Sequence, residues 1–182
     1  MRNLIKVLCW CVCFTGIFSC KTNMKEKCFN QLIGQKIIFP KELTLNKNNK
    51  DTLIPDLFKR RAKLIILYDT VGCTPCRIKH LKDWNYILEL SQQLNENFYP
   101  LFIIQPNVED SLQTRIILSD FNFPVLYDPN KVFTKQNSFL LNECNYNVFL
   151  IDSMNKIILI GDPNTNNKLR QLYIETIKKL CK

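Results

Sequence analysis

The run Leu64-Ile65-Ile66-Leu67-Tyr68-Asp69-Thr70-Val71-Gly72-Cys73-Thr74-Pro75-Cys76 decides how this chain is read. Its first five residues are continuously apolar, the pattern of a central strand buried on both faces. After Cys76, Ile78, Leu81, Trp84, Leu88 and Leu94 recur at helical spacing. Two cysteines three residues apart therefore stand where a buried strand feeds an amphipathic helix. The chemistry follows from that placement. Unpaired N–H groups and the dipole at a helix start favour an anion, and the thiolate is the reactive form of cysteine. Pro75 suits the first helical turn, where a missing N–H costs little. Cys73 is read as a nucleophile that attacks a disulfide and Cys76 as the thiol that resolves the mixed disulfide, with Thr74 and Pro75 completing the turn. The competing readings are a structural zinc site, which needs a second ligand pair, metal transfer, and two inert buried thiols.

Working outward, Gln35-Lys36-Ile37-Ile38-Phe39-Pro40 reads as a short strand stopped by proline, residues 41–52 as polar loop, and Leu53 to Arg61 as a turn of helix. Tyr99 to Ile104 is a second buried strand. A helix capped by Asn107 runs through Ser119 with Leu112, Ile116 and Leu118 inward. Pro124 to Tyr127 is a third strand. Val148–Asp152 and Ile157–Ile160 form a hairpin across Ser153-Met154-Asn155-Lys156. A last helix ends near Leu180, with Leu169, Leu172, Tyr173, Ile177 and Leu180 inward. Strand–helix alternation followed by a hairpin predicts an α/β domain: a central mixed β-sheet flanked by helices, with an N-terminal extension.

The first twenty residues have the form of an export signal. Arg2 and Lys6 precede an apolar stretch from Val7 to Phe18, shorter than the roughly 20 residues of a membrane-spanning helix. It ends Ile17-Phe18-Ser19-Cys20, which resembles a bacterial lipobox, and Cys20 is the expected lipidation site; an ordinary cleaved signal and an uncleaved anchor are the competing readings. The expected organisation is a signal peptide at 1–19, a lipid-anchored flexible tether at 20–34, and a folded domain at 35–182. The 182 residues carry a formal charge of +9. Lys and Arg are dispersed and no nucleic-acid motif accompanies them, so a solvated basic surface is expected and nucleic-acid binding is not.

Of nine cysteines, Cys28, Cys73, Cys76, Cys144 and Cys181 lie beyond Cys20. Five is odd, so they cannot all pair within one chain, and a domain of this size can bury a core without staples. Cys28 and Cys181 flank the domain and either pair with each other or stay free. Cys144 falls in a loop expected opposite Cys73 and Cys76, where a third exchanging thiol is one reading. His80 lies one helical turn beyond Cys76; it is either a metal ligand beside the thiols or a solvated helix residue. Trp84 and Tyr173 are expected in the core.

Val71-Gly72-Cys73-Thr74-Pro75-Cys76, Phe149-Leu150-Ile151-Asp152 with its hairpin, Phe123-Pro124-Val125, and the ending from Gly161-Asp162-Pro163 resemble the thioredoxin superfamily. The likeness extends over about 35–182 and is nearest to the envelope-anchored TlpA type, in its Bacteroidetes-like lipoprotein form. It implies a thioredoxin-like fold and a thiol–disulfide oxidoreductase acting on cysteines of exported proteins near the membrane. The implied partners are those proteins and a redox partner. The implied state is a monomer facing the periplasm from a lipid anchor, with no cofactor and no metal. Three positions depart from the pattern. Tyr146 stands where relatives carry a cis-proline in the substrate loop, Leu67 stands where many carry a buried acid, and no Trp precedes Cys73. The alternative is a non-catalytic module of this fold that binds a metal ion or a protein partner. Peroxiredoxins share the Thr70 position but place Pro where this chain has Ile66.

Overall fold

A computed structural model describes residues 24, 26–41, 45–48, 50–52, 57–69, 74–141 and 144–182. The readings at residues 1–20, including Cys20, and at Thr70 to Cys73 lie outside the described residues.

The fold is built around strand β3 (Ala62–Tyr68), every residue of which is buried. β3 pairs in parallel with β4 (Phe98–Ile104) and antiparallel with β6 (Val148–Ile151). β4 continues in parallel to β5 (Val125–Tyr127), and β6 turns back antiparallel to β7 (Ile157–Ile160). Beyond β5 lies a hairpin of β1 (Leu45–Lys47) and β2 (Lys50–Thr52), giving a seven-stranded mixed sheet in the order β2-β1-β5-β4-β3-β6-β7. That hairpin falls in the stretch expected as loop. Its turn begins with Asn48 at φ 52°, a left-handed conformation that asparagine tolerates better than most side chains. The strand expected at 35–40 is instead a single bridge, Lys36 to Lys156, because beyond Ile37 the backbone turns to hydrogen bond with the Asn137 side chain.

Side-chain alternation divides the core into two. On one face Leu64, Ile66, Phe102 and Leu150 pack against Ile78, Trp84, Ile87, Tyr173 and Ile177. On the other Ile65, Leu67, Leu101, Phe149 and Ile157 pack against Leu32, Ile37, Leu57 and Phe133. The first layer is made by helix α2 (Thr74–Ile78), a 3-10 stretch Lys79–Trp84, α3 (Asn85–Leu94), α4 (Ser111–Ser119) and α6 (Asn167–Leu180). The second holds a short helix, α1 (26–32), and α5 (Val132–Gln136). Within residues 26–34, expected as the end of a flexible tether, Cys28 and Leu32 are buried, and Gly34 N–H donates to the Ile157 carbonyl at 2.8 Å.

The helices differ from the expected ones in phase. The buried residues Ile78, Leu81, Trp84, Ile87 and Leu90 are spaced by three, because the middle of the run is 3-10 helix, where residues three apart eclipse. Leu88 and Leu94 are only partly buried. α4 starts three residues later than an Asn107 cap implies and turns Thr114 and Leu118 inward, leaving Leu112 73% and Ile116 61% exposed. Leu172 of α6 also faces out. Trp84 and Tyr173 are in the core as expected.

Phe102 anchors an aromatic cluster, edge-on to Trp84, Phe121 and Phe123. Phe102→Ala is expected to cost about 3–5 kcal/mol in urea unfolding. Lys63 is fully buried in β3, its Nζ donating to the Arg60 carbonyl at 2.9 Å. Burial lowers its pKa from 10.5 to about 8 against the opposing pull of Asp152. Between those values the unfolded chain holds the proton that the folded chain has released, so this residue's contribution to stability rises with pH. The stability of wild type relative to Lys63→Met should rise from pH 8 to 10; parallel pH curves for the two would contradict the assignment.

Candidate functional site

Because β3 ends at Tyr68 and α2 begins at Thr74, Cys76 lies in the helix that follows the carboxyl end of the central strand. Cys73 itself is outside the described residues. Cys76 is exposed and disulfide-bonded. Its partner is not among the other described cysteines, since Cys28 is bonded to Cys144 and Cys181 is free. Pro75 is buried in the first turn of α2. Leu67, at the position of the acid expected from the resemblance, is buried and 4% exposed.

Beside this end of the sheet lies a cavity of about 650 Å³. One wall is the 3-10 stretch, with His80, Asp83 and Trp84. The second is the segment Asn145–Val148, and the third is the turn from Gly161 to Thr165. Trp84 is fixed by donating its Nε1–H to the Tyr68 hydroxyl at 3.1 Å. His80 Nδ1 lies 3.5 Å from Asp83 Oδ2, with the two side chains 75% and 58% exposed. That is the solvated reading of His80. Among the described residues no group of three or more His, Cys, Asp and Glu side chains is placed to hold a metal ion. The third wall is held by Tyr173, whose hydroxyl donates to the Gly161 carbonyl at 2.9 Å. Gly161 has φ 107°, where a side chain would be strained, and an added Cβ would come within 3.3 Å of Leu169. Burial pushes the Tyr173 phenol well above its usual range, reinforced by the Asp162 charge, so its proton stays on the oxygen for that hydrogen bond.

The second wall departs most from the expectations. Cys144 is bonded to Cys28 of α1, so in this oxidised structure it is not a free third thiol. Cys28 therefore does not pair with Cys181, which is buried, free, and in contact with the Asn97 carbonyl at 3.5 Å. Burial raises the Cys181 thiol pKa and a nearby Arg61 lowers it, with burial the larger effect. Tyr146 is partly buried against the lower core and also lines the cavity. No cis peptide bond occurs among the described residues, so the Tyr146 segment is trans throughout; Asn145, at φ 49°, makes the bend. Among the described residues no helix is long and apolar enough to cross a membrane.

The Cys28–Cys144 bond closes a loop over a separation of 116 residues. In the chain-entropy view a loop of that length stabilises the fold by about 4.8 kcal/mol. Peptide mapping under non-reducing conditions should recover Cys28 joined to Cys144, and Cys181 should react with iodoacetamide only in denaturant. Recovery of Cys28 joined to Cys181 would refute this pairing.

No protein-family model matches the sequence, and no curated protein matches it. Solved structures do resemble the fold. A candidate protein disulfide isomerase from Bacteroides thetaiotaomicron superposes with a TM-score of 0.55 at 15% identity, covering 82% of this chain and 89% of the other. Peroxiredoxin Q from Xanthomonas campestris gives 0.55 at 14% identity over 82% and 99%. A candidate thiol:disulfide interchange protein DsbE from Chlorobium tepidum gives 0.52 at 15% identity over 80% and 97%. Identities this low carry the fold and not the activity, and the conclusion is architectural: the chain has the thioredoxin-like fold, a mixed sheet layered by helices.

Proposed function

We propose that this chain is a thiol–disulfide oxidoreductase in which Cys73 is the nucleophile and Cys76 the resolving thiol. The observation that carries the reading is the placement of an exposed, disulfide-bonded Cys76 in the first turn of the helix that follows the central buried strand, beside a cavity. In the reducing direction the Cys73 thiolate attacks one sulfur of a substrate disulfide. A mixed disulfide forms and the other substrate sulfur leaves as a thiolate. Cys76 then attacks Cys73 Sγ, giving the Cys73–Cys76 disulfide and a second substrate thiol, so two electrons pass from the pair to the substrate. The oxidising direction is the reverse. The substrates are cysteines of exported proteins near a membrane, and the support for this is the leader pattern ending Ile17-Phe18-Ser19-Cys20, with lipid carried on Cys20 and the domain facing the periplasm.

A second reading, a binding module of this fold, is favoured by one observation. Tyr146 stands where the resemblance implies a proline in the substrate-docking loop.

A redox titration of residues 21–182, scored by alkylation of Cys73 and Cys76, separates the two. The oxidoreductase shows a reversible two-electron transition, near about −270 mV for a reductant or toward about −120 mV for a disulfide donor. A pair that never forms a reversible disulfide supports the binding module. Cys76→Ser should accumulate mixed disulfides through Cys73 on non-reducing gels, and Cys73→Ser should abolish them. For the anchor, Cys20→Ser should move the protein from the detergent phase to the aqueous phase in a cloud-point partition.

A further inference from the structure

The wall of the cavity formed by Asn145–Val148 begins outside regular structure; only Val148 belongs to a strand. Its bend at Asn145, φ 49°, is a left-handed turn of the kind asparagine adopts readily. At its far end the Asn147 carbonyl accepts the Leu67 N–H at 2.8 Å, which ties it to the central strand. At its near end Cys144 is covalently joined to Cys28, which is 6% exposed. The post on which that bond stands is itself fixed. Leu32 of the same helix is 1% exposed, Gly34 N–H donates to Ile157 and Ile37 N–H to Asn155, and Ile157 N–H returns to Gln35. A covalent bond thus runs from a packed helix to the residue immediately before a cavity wall.

We propose that Cys28 and Cys144 are positioning residues: their disulfide holds the Asn145–Val148 segment in the conformation that docks the backbone of a polypeptide substrate in the cavity at the carboxyl end of β3. The proposal rests on the oxidoreductase reading for what the cavity receives, and not for the positioning itself. Opening the bond with a dithiol reductant breaks one S–S bond, adds two electrons and two protons to give two thiols, and turns the reductant into its own disulfide. The segment then keeps its tie to Leu67 and loses its covalent one, so polypeptide docking weakens while the chemistry at Cys73 is left in place.

The test is hydrogen exchange on full-length wild type and on the Cys28→Ala, Cys144→Ala double variant, with insulin as a disulfide-bearing probe. The backbone amides of 145–148 should exchange about tenfold faster in the variant while the amides of β3 and β4 keep their protection. KM for insulin should rise by about tenfold with kcat little changed, a split that general destabilisation does not produce. Wild-type exchange rates at 145–148 in the variant would overturn the proposal. So would an increase in kcat without a change in KM. Should the variant fail to fold, wild-type protein opened with dithiothreitol and capped with iodoacetamide repeats the exchange measurement alone, since the same treatment alkylates the exposed Cys76 and ends turnover. Loss of protection across β3 and β4 together with the loop would then show a general staple and also overturn it. A wild type that does not turn over insulin counts against the Cys73–Cys76 reading, whereas the exchange rates judge the positioning alone.

Discussion

β3 is paired along both edges and covered on both faces, and that double burial is the constraint from which the architecture follows. Its backbone groups find partners in β4 on one side and β6 on the other, as a buried strand requires. Its side chains divide by alternation, with Leu64 and Ile66 toward one helical layer and Ile65 and Leu67 toward the other. A strand so enclosed has no freedom at its carboxyl end. The chain leaves at Tyr68 and re-enters helix at Thr74, which places Cys76 at the rim of the sheet. The helical run beyond is held by the buried series from Ile78 to Leu90, and Trp84 is tied back to Tyr68 at the strand's own end. The cysteine turn is thus bracketed by contacts made within one strand–helix unit.

What was legible in the sequence was this unit and the elements that share its pattern. Continuous apolar runs marked β3, β4 and β6, because strands covered on both faces need no polar alternation. The helices were legible in place but not in phase. The 3-10 stretch shifts the inward residues to a spacing of three, so Ile87 and Leu90 are buried where a regular α-helical count points to Leu88 and Leu94. On α4 two apolar sets compete for the core, Leu112 with Ile116 and Ile117 with Leu118. Burial of Thr114 on the second side settles which faces inward, and no count of apolar residues shows that. The hairpin β1–β2 was missed because its polar residues cover an edge, where pairing depends on the Leu45 contact with β5 and on the Asn48 turn.

The site divides in the same way. The cysteine spacing and its setting were visible because they are local. The cavity's other walls were not, since they bring residue 80 beside residues 145 and 161 through the sheet. The 28–144 pairing was hidden for a related reason: an odd cysteine count says that some thiol is left over and not which, and only the packing of the N-terminal helix against the lower core brings Cys28 to Cys144. Among the described residues the free thiol is the buried one at the end of α6, Cys181.

The order of the cysteines along the chain has its own consequence. Beyond Cys20 they occur at 28, 73, 76, 144 and 181, and the 28–144 bond spans the two at 73 and 76. A polypeptide oxidised from its amino end onward offers Cys28 two wrong thiols before the right one has been made. The native pairing is reached directly if Cys28 stays reduced until Cys144 is made, and by thiol–disulfide exchange if Cys28 has first bonded to Cys73 or Cys76.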